Sequence, residues 1–245
     1  MADFDDLLRE AETAPITGWD FSWLDGRATE ARPSWHFSER VAERAATATN
    51  MLDLQSGDGA LLAALPHQPS LLVATDAYAP NVTIAAERLP HVVANDDHAL
   101  PFRDASFDLV TCRHPIVAWW TEIARVLAPG GTYFAQHVGY GSVREVTEWF
   151  IPGQEVSMAR HPDTARRDAT AAGLDVVDVR YEELPMAFDD VAAVIYFLRL
   201  VIWIVPGFTV ERYRDRLHAL HDHIAAYGPF AATSTRFLID ATKPR

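Results

Sequence analysis

The sequence contains a single cysteine, Cys112, among its 245 residues. One thiol can form neither an internal disulfide nor a thiolate metal cluster, so a reducing compartment is expected. Residues 1–12 are acidic and amphipathic, and they lack the basic and apolar regions of a signal peptide. These features predict a cytoplasmic protein.

Basic residues are also few. The chain has 21 Lys and Arg against 34 Asp and Glu, which gives a formal net charge of −13 at pH 7. A protein that follows nucleic acid concentrates basic residues, because neutralising phosphates supplies most of its affinity. The charge balance therefore argues against nucleic acid as a partner.

No hydrophobic run is long enough to predict a membrane span. The longest, residues 191–205, contains Arg199 and is followed by Pro206, whereas a span needs roughly 20 apolar residues. A buried or lid helix fits this run better. With 49% hydrophobic residues, the chain can bury one sizeable core, and we predict a single domain over residues 1–245 with no membrane partner.

From about residue 50, short apolar runs alternate with segments of helical spacing. The runs are continuous, as is typical of strands covered on both faces, and their alternation with helices indicates a parallel sheet with right-handed crossovers. The predicted strands are residues 50–55, 70–76, 91–95, 107–113, 131–138, 174–182 and 234–241. The predicted helices are residues 3–12, 34–48, 77–89, 117–128, 142–150, 162–172, 188–204 and 209–226.

This order predicts an α/β fold with a doubly wound, mostly parallel seven-stranded sheet. A helical extension precedes the sheet, and a helical insertion precedes the last strand. Ser34, which follows Pro33, is the expected N-cap of the second helix. We divide the domain into a helical N-terminal cap (1–49), a cofactor-binding core (50–139) and a substrate-side region (140–245).

A glycine-containing turn follows the first strand of the core. Residues 53–60 read Asp-Leu-Gln-Ser-Gly-Asp-Gly-Ala and lead into a helical pattern, so the backbone can turn sharply and free N–H groups face the turn. Asp76 ends the next strand, about 20 residues after Asp53, where doubly wound folds place an acid on ribose hydroxyls. Together these features predict an adenosine-containing ligand. A plain tight connection at Gly57 and Gly59, and a helix cap at Asp76, remain as alternatives.

The motifs of residues 50–139 resemble those of class I S-adenosylmethionine-dependent methyltransferases, mainly of the small-molecule type. The C-terminal segment resembles a bacterial branch of that superfamily, a match that brings no substrate with it. The resemblance rests on Asp53 to Gly59, Asp76, Asn95-Asp96-Asp97-His98-Ala99-Leu100-Pro101-Phe102, Ser106 to Val110, and Glu122 to Gly131, in that order.

The resemblance implies S-adenosylmethionine as cofactor, with contacts at the ends of neighbouring strands. Asp96 and Asp97 could instead cap a turn, and Arg113 could be a surface ion-pair partner. The implied contacts are Asp53, Gln55, Ser56, Gly57 and Gly59 for the amino-acid end and the space below the ribose, Asp76 for the ribose hydroxyls with Ala77 by the adenine, Asp96 for the adenine amino group with Asp97 and His98 on the same loop, and Arg113 at the mouth.

Gln55 departs from the family pattern, which opens this turn with glycine because backbone and cofactor lie close together there. A glutamine side chain that points away leaves the cofactor room, whereas one that points inward fills part of the methionine pocket. We hypothesise that binding survives, because Gly57, Gly59, Asp76 and Asp96 are all retained.

Methyl transfer from a sulfonium depends mainly on positioning, and a hydroxyl acceptor also needs a base, for which histidine is suited. His114, directly after the fourth core strand, is the predicted catalytic or substrate-contacting residue, with packing or capping as the alternative. His137 and His36 are weaker candidates. The histidines at 218, 221 and 223 fit a solvated helix face better than a metal site, so no metal is predicted.

We predict an enzyme that methylates a small, apolar or aromatic acceptor and exists as a monomer or homodimer. The apolar or aromatic character of the acceptor is suggested by a set of large aromatic residues, for each of which helix packing or a dimer contact is the alternative: Trp19, Trp23, Trp119, Trp149, Phe197 and Trp203. A non-catalytic methyltransferase-like ligand-binding or partner protein, and a methyltransferase acting on a macromolecule, remain as alternatives. An NAD-dependent oxidoreductase is disfavoured, because Leu62 stands where the dinucleotide fingerprint requires a small residue.

Overall fold

The strands of the chain assemble into a sheet of the doubly wound kind. The computed structural model describes residues 3–245. The strands are β1 (Ala28–Glu30), β2 (Asn50–Leu54), β3 (Leu71–Asp76), β4 (Val92–Ala94), β5 (Phe107–Arg113), β6 (Leu127–Val138), β7 (Asp175–Phe188) and β8 (Phe230–Thr242). Their order in the sheet is β1-β7-β8-β6-β5-β2-β3-β4, and the predicted α/β fold class is confirmed.

The centre of the sheet is parallel. β2 pairs in parallel with both β3 and β5, β4 extends the sheet beyond β3, and β6 pairs in parallel with β5. β8 then runs antiparallel to β6. The apolar runs behave as expected for strands covered on both faces, since Met51 and Leu52 are adjacent in β2 and both fully buried. The carboxyl ends of β2, β3, β4 and β5 consequently lie along one edge.

Helices occupy the connections and the predicted insertion. None of the helices between residues 3 and 245 combines the length and apolar character needed to cross a membrane. The α-helices are α1 (Phe4–Thr13), α2 (Phe37–Ala45), α3 (Ala60–Ala63), α4 (Ala79–Arg88), α5 (Trp120–Val126), α6 (Arg144–Phe150), α7 (Pro162–Ala171), α8 (Val191–Leu200) and α9 (Arg214–Tyr227). Two short 3-10 helices cover Ser22–Leu24 and Met158–Arg160.

The chain forms two compact units. The helical unit comprises the described residues up to 32 together with residues 141–157 and 183–235, and the sheet unit comprises residues 33–140, 158–182 and 236–245. The predicted N-terminal cap of residues 1–49 is therefore divided between the units after residue 32. That the chain acts as a single domain stays a prediction.

The helical unit is built around α8, the long apolar run of the sequence. Most of its residues from Val191 onward are buried, and Asp190 caps the helix by accepting a hydrogen bond from the Ala193 amide at 2.7 Å. Arg199, the one charge in the run, donates to backbone carbonyls at the end of α1. This explains how a cation is accommodated there. The first ten residues of the run form a buried helix, as predicted, but the helix ends at Leu200 and not at residue 204, and Ile202 and Trp203 beyond it are exposed.

The sheet unit is closed on one face by α2. Phe37 of that helix stacks on Phe134 of β6, with ring centroids 5.4 Å apart. The Arg44 guanidinium lies 3.7 Å from the centre of the Phe134 ring and forms an ion pair with Asp240 at 2.6 Å. The arginine thus lies over the face of the Phe134 ring while its charge stays paired with Asp240.

Two local predictions were wrong, the N-cap of α2 and the number of strands, and the helix predicted after β2 is present but short. Ser34 does not cap α2, which begins at Phe37 after His36, because the Ser34 amide and hydroxyl both bind the Glu182 carboxylate. The helix after β2 is only the four-residue α3, since Pro66 disfavours helical backbone just before it. The sheet has eight strands rather than seven, because the three-residue β1 pairs antiparallel with β7 and is too short to show a periodicity.

We expect Phe134→Ala to lower the free energy of unfolding by about 3–5 kcal/mol, because it opens a cavity and removes the partner of Phe37 and Arg44. Urea denaturation measures the change. Val177→Ala, at a side chain that is 66% exposed, is the control and should change stability by no more than about 0.5 kcal/mol. Equal effects of the two substitutions would contradict this description of the core.

Candidate functional site

The parallel strands bring the predicted site residues to one edge of the sheet unit. Asp53 lies near the end of β2, Asp76 ends β3, Asp97 follows β4 and Arg113 ends β5. Asp53 is in register with Thr111 of β5 on one side and with Ala74 of β3 on the other. Side chains far apart in sequence thus meet at the carboxyl edge, where doubly wound folds bind their ligands.

The turn between β2 and α3 is closed by its own hydrogen bonds. The Ser56 amide donates to the Thr75 carbonyl at 2.8 Å, and the Gly57 amide donates to Asp76 Oδ2 at 2.8 Å. The Gly59 amide donates to the Ser56 carbonyl at 3.2 Å. These amides of the turn are therefore bound within the protein. The predicted contribution of the N-terminus of α3, a single helical turn, to ligand binding stays a prediction.

The two glycines of the turn serve different purposes. Both have positive φ, +61° at Gly57 and +73° at Gly59. A Cβ on Gly59 would lie 2.8 Å from Leu89 Cδ1, so this residue allows α4 to pack against the turn. A Cβ on Gly57 would meet nothing within 4 Å. The open space beside Gly57 is where a ligand can approach the backbone.

Asp76 orders two neighbouring segments through its carboxylate, and its predicted contact with ribose hydroxyls stays a prediction. Its carboxylate is buried, with Oδ2 bound by the Gly57 amide and Oδ1 by the Tyr78 amide at 2.8 Å and by Asn81 Nδ2 at 3.3 Å. It therefore orders both the glycine turn and the start of α4. A carboxylate has about four acceptor sites, so capacity remains for hydroxyl groups of a ligand. Ala77 follows at an exposed position.

Asp53 and Asp97 are buried carboxyl groups that face hydroxyl donors. Asp53 accepts from Thr111 Oγ1, and Asp97 Oδ1 accepts from Thr75 Oγ1 at 2.8 Å. Burial raises the pKa of each carboxyl to about 6. Among residues 3–245, Asp97 Oδ2 is a buried atom with no hydrogen-bond partner. Each carboxyl therefore takes up a proton at a higher pH than an exposed aspartate does.

Asp96 and His98 lie on the surface of the same loop. His98 Nδ1 binds Asp96 Oδ1, and this contact lowers the pKa of the Asp96 carboxyl. The His98 ring meets the edge of Trp119, with centroids 6.1 Å apart. The loop thus presents an acid and an imidazole beside the Trp119 indole of the loop after β5, and the predicted adenine contacts of Asp96, Asp97 and His98 stay predictions.

The Gln55 side chain spans the edge between β2 and the loop that follows β5. Its Oε1 accepts from the Ile116 amide at 2.7 Å, and its Nε2 donates to the Val117 carbonyl at 2.8 Å. The residue has φ +51°, a conformation that glycine adopts without strain. The side chain therefore does not turn away into solvent. It ties two loops together at the turn where the resemblance places the amino-acid end of the cofactor.

An arginine on α5 fixes the loop that leads from β4 to β5. Arg125 donates to the Leu100 carbonyl at 2.9 Å and to the Phe102 carbonyl at 2.7 Å, and it pairs with Glu122 at 2.7 Å. Glu122 in turn accepts from the Leu100 amide at 2.7 Å. These contacts raise the pKa of Arg125 and lower that of Glu122. The Leu-Pro-Phe segment is thereby held beside the site.

The histidine candidates have different surroundings. His137 is enclosed between Phe237 and Trp120, and burial lowers its pKa to about 3, so it is a neutral core residue. His36 is the exposed N-cap residue of α2. His114, with φ +62°, donates its amide to the Gln136 carbonyl at 2.6 Å. A catalytic role for His114 and a cofactor role for Arg113 stay predictions.

The α9 histidines and the aromatic candidates lie mostly in the helical unit. His218 pairs with Asp222 at 3.1 Å, and within the described part of the chain no group of three or more metal-binding side chains is close enough to hold an ion. Phe197 is buried and Trp23 stacks on Tyr196, so both serve packing. Trp19 and Trp203 are exposed and meet edge to face with centroids 5.7 Å apart.

Several polar residues of the site were missed by sequence reasoning. Thr75 and Thr111 donate to the buried acids, Asn81 supports Asp76, and Gln136 contacts His114. A threonine within an apolar run is read as a strand former, which hides its hydroxyl. The only sequence signal was position, because Thr75 directly precedes the acid that ends its strand.

Comparison with known proteins agrees with this geometry. Residues 52–135 match the family model of a methyltransferase domain. The YcgJ protein of Bacillus subtilis has a similar fold, with a TM-score of 0.61 and 18% identity over 86% of this chain and 99% of that chain. The [4+2]-cyclase SpnF has a TM-score of 0.52 and 19% identity over 98% of this chain and 93% of that chain. A Haemonchus contortus phosphoethanolamine N-methyltransferase 2, in complex with phosphomonomethylethanolamine and S-adenosylhomocysteine, has a TM-score of 0.55 and 18% identity over 100% of this chain and 61% of that chain. None of the curated proteins matches the sequence.

The matched segment agrees with the prediction made from the sequence. The predicted resemblance to the class I S-adenosylmethionine-dependent methyltransferase superfamily is confirmed. Residues 52–135, which match the model of a methyltransferase domain, contain the glycine turn, the site residues Asp53, Asp76, Asp96 and Asp97, and His114. At identities below 25% the solved structures support the fold alone.

We expect Gln55→Gly to expose the Ile116 amide, which loses the acceptor that protects it. Native-state hydrogen exchange followed by NMR should show this amide exchanging about tenfold faster or more. Gln55→Glu is the matched control, because it keeps a side-chain oxygen for Ile116 and loses only the bond to the Val117 carbonyl. Unchanged protection of Ile116 in the glycine variant would contradict the bridging role of Gln55.

The buried Asp97 carboxyl predicts a pH dependence of stability. Its pKa is about 6 in the folded protein and about 3.9 when unfolded, so the folded state binds the proton more tightly. The contribution of Asp97 to the free energy of unfolding therefore falls as pH rises from about 4 to about 6. In urea denaturation, Asp97→Asn should gain on the order of 1–3 kcal/mol relative to wild type between pH 4 and pH 7.

The control is Asp175→Asn, at an exposed carboxyl of β7, which should keep the wild-type dependence. If Asp97→Asn also follows the wild-type curve, then Asp97 does not carry a raised pKa in the fold.

Proposed function

We propose that the protein is an S-adenosylmethionine-dependent methyltransferase that acts on a small, apolar or aromatic acceptor. The observation that carries the proposal is the buried Asp76 carboxylate at the end of β3, next to the open space beside Gly57 and within the matched methyltransferase domain. The acidic chain argues against RNA as the acceptor. A cytoplasmic location and a monomeric or dimeric state are parts of the proposal.

The residues present fit the adenosyl half of this cofactor. Asp76 offers acceptor capacity for ribose hydroxyls, Gly57 leaves room beside the backbone, and Asp96 and His98 lie on the neighbouring loop. S-adenosylmethionine, when bound, supplies an activated methyl group for in-line displacement. The Haemonchus contortus structure contains S-adenosylhomocysteine on the same fold, which supports a cofactor of this class.

The chain contributes mainly by positioning, the largest effect available to a reaction with an activated donor. Gln55 holds the loop after β5 against the glycine turn, and Arg125 holds the loop after β4. The loop after β5 carries Ile116, Val117 and Trp119, which are 56%, 46% and 41% exposed. Large apolar side chains exposed beside the proposed cofactor site favour an apolar or aromatic acceptor.

Gln55 favours a second candidate function, a ligand-binding protein of the same fold that does not transfer methyl groups. Its amide bonds to Ile116 and Val117 lie at the turn assigned to the amino-acid end of the cofactor. SpnF has this fold and is a [4+2]-cyclase, so the scaffold is compatible with activities other than methyl transfer. A macromolecular acceptor has no specific observation in its favour.

Calorimetric titration with S-adenosylmethionine and S-adenosylhomocysteine distinguishes the two candidates. We expect both ligands to bind the wild-type protein with Kd below about 1 mM, and NAD not to bind. Asp76→Asn should weaken binding about tenfold to a hundredfold, because it removes the charge that ribose hydroxyls bind. The exposed-helix variant Glu87→Gln is the control and should bind as wild type does.

The Gln55→Gly variant completes the test. Binding by wild type and variant alike supports the methyltransferase. Binding by the variant alone shows that Gln55 blocks the cofactor and favours the second candidate. Absence of binding by both would overturn S-adenosylmethionine dependence.

A further inference from the structure

A buried glutamine connects Trp35 with His114. Gln136 lies on β6 in register with Arg113 of β5 and is 4% exposed. Its Oε1 accepts a hydrogen bond from Trp35 Nε1 at 2.7 Å, and its Nε2 lies 2.8 Å from His114 Nε2. The three polar groups thus form one chain from the core of the sheet unit to the loop after β5.

The direction of every hydrogen bond in this chain follows from the chemistry of its members. An indole N–H can only donate, so the amide oxygen of Gln136 must face Trp35. The amide nitrogen must then face His114, and an amide nitrogen can only donate. His114 Nε2 is therefore the acceptor and carries no proton. In the neutral ring the proton is on Nδ1, and an imidazolium would bring an N–H against the amide N–H.

The surroundings leave the three groups little freedom to rearrange. Trp35 is 3% exposed and belongs to the cluster of buried side chains that includes Val41, Met51 and Phe134. The His114 amide donates to the Gln136 carbonyl at 2.6 Å, so the backbones of both residues are joined as well. A rotation of the Gln136 amide would leave the indole N–H without its acceptor in the core, and a buried donor without a partner is unfavourable.

We propose that Trp35 and Gln136 are positioning residues that hold His114 as the neutral ring with its proton on Nδ1. His114 Nε2 is then occupied and does not take a proton from the acceptor. His114 serves the site as a neutral polar group of fixed orientation rather than as the general base. The tautomer follows from the hydrogen bonds alone, and only its relevance to catalysis rests on the proposed function.

Long-range ¹H–¹⁵N correlation NMR of the uniformly labelled protein at neutral pH tests the proposal, because it distinguishes both tautomers and the imidazolium. The chain has 10 histidines, and the ring signals of His114 are assigned by their loss in His114→Gln. We expect a protonated Nδ1 and an unprotonated Nε2 in the wild-type protein. A proton on Nε2, whether in the other tautomer or in the imidazolium, would overturn the proposal.

Gln136→Glu is the diagnostic variant. A carboxylate accepts from both sides, so it should keep the bond to Trp35 Nε1 and place a proton on His114 Nε2. Gln136→Met is the matched control, since it fills a similar volume without hydrogen bonds and should remove the preference for a proton on Nδ1 that Gln136 imposes on His114. A wild-type spectrum in both variants would show that Gln136 does not set the tautomer. Where a variant fails to fold, the wild-type spectrum decides.

The spectrum requires neither cofactor nor acceptor. If the protein binds no S-adenosylmethionine but His114 is protonated on Nδ1, the proposed role of Trp35 and Gln136 stands and only the proposed function fails. If the protein binds the cofactor but His114 carries its proton on Nε2, the proposed role of Trp35 and Gln136 fails and the proposed function stands. The two failures are therefore separable.

Discussion

The site depends on parallel pairing of β2 with β3 on one side and with β5 on the other. Parallel neighbours end at the same edge, so Asp53, Asp76 and Asp97 are brought into one small volume. Removing carboxyl groups from water disfavours their charged forms, which is why the pKa of Asp53 and of Asp97 is raised. The threonine hydroxyls and turn amides around them are the donors that such buried acceptors require.

Two glutamines organise the loop that leaves β5. Gln55 binds the Ile116 amide and the Val117 carbonyl from the direction of the glycine turn, and Gln136 binds the His114 ring from inside the sheet. An amide both donates and accepts, so each side chain joins two groups of opposite hydrogen-bonding character. The loop is thereby tied to two different strands. Ile116, Val117 and Trp119, which favour an apolar acceptor, thus lie on a loop whose position is fixed by hydrogen bonds to the sheet unit.

The helical unit is stabilised mainly by burial of apolar side chains rather than by hydrogen bonds to buried acids. α8 is apolar on nearly all sides, and such a helix is stable only when other elements cover it. Leu7 and Leu8 of α1 belong to the same buried cluster, and the Tyr196 hydroxyl donates to the carbonyls of Pro15 and Asp20. The aromatic residues there divide into buried packing residues and an exposed Trp19 and Trp203 pair. Composition alone could not separate these groups.

The sequence by itself determined the class of fold and the positions of the strand-end acids. Continuous apolar runs, turn glycines and the spacing from Asp53 to Asp76 are local properties that a linear chain displays. The extent of α3, the direction of the Gln55 side chain, the burial of Asp97 and the contact of Gln136 with Trp35 and His114 were decided only by tertiary structure. Each of these depends on groups distant in sequence whose hydrogen bonds and desolvation exist only once the sheet has formed.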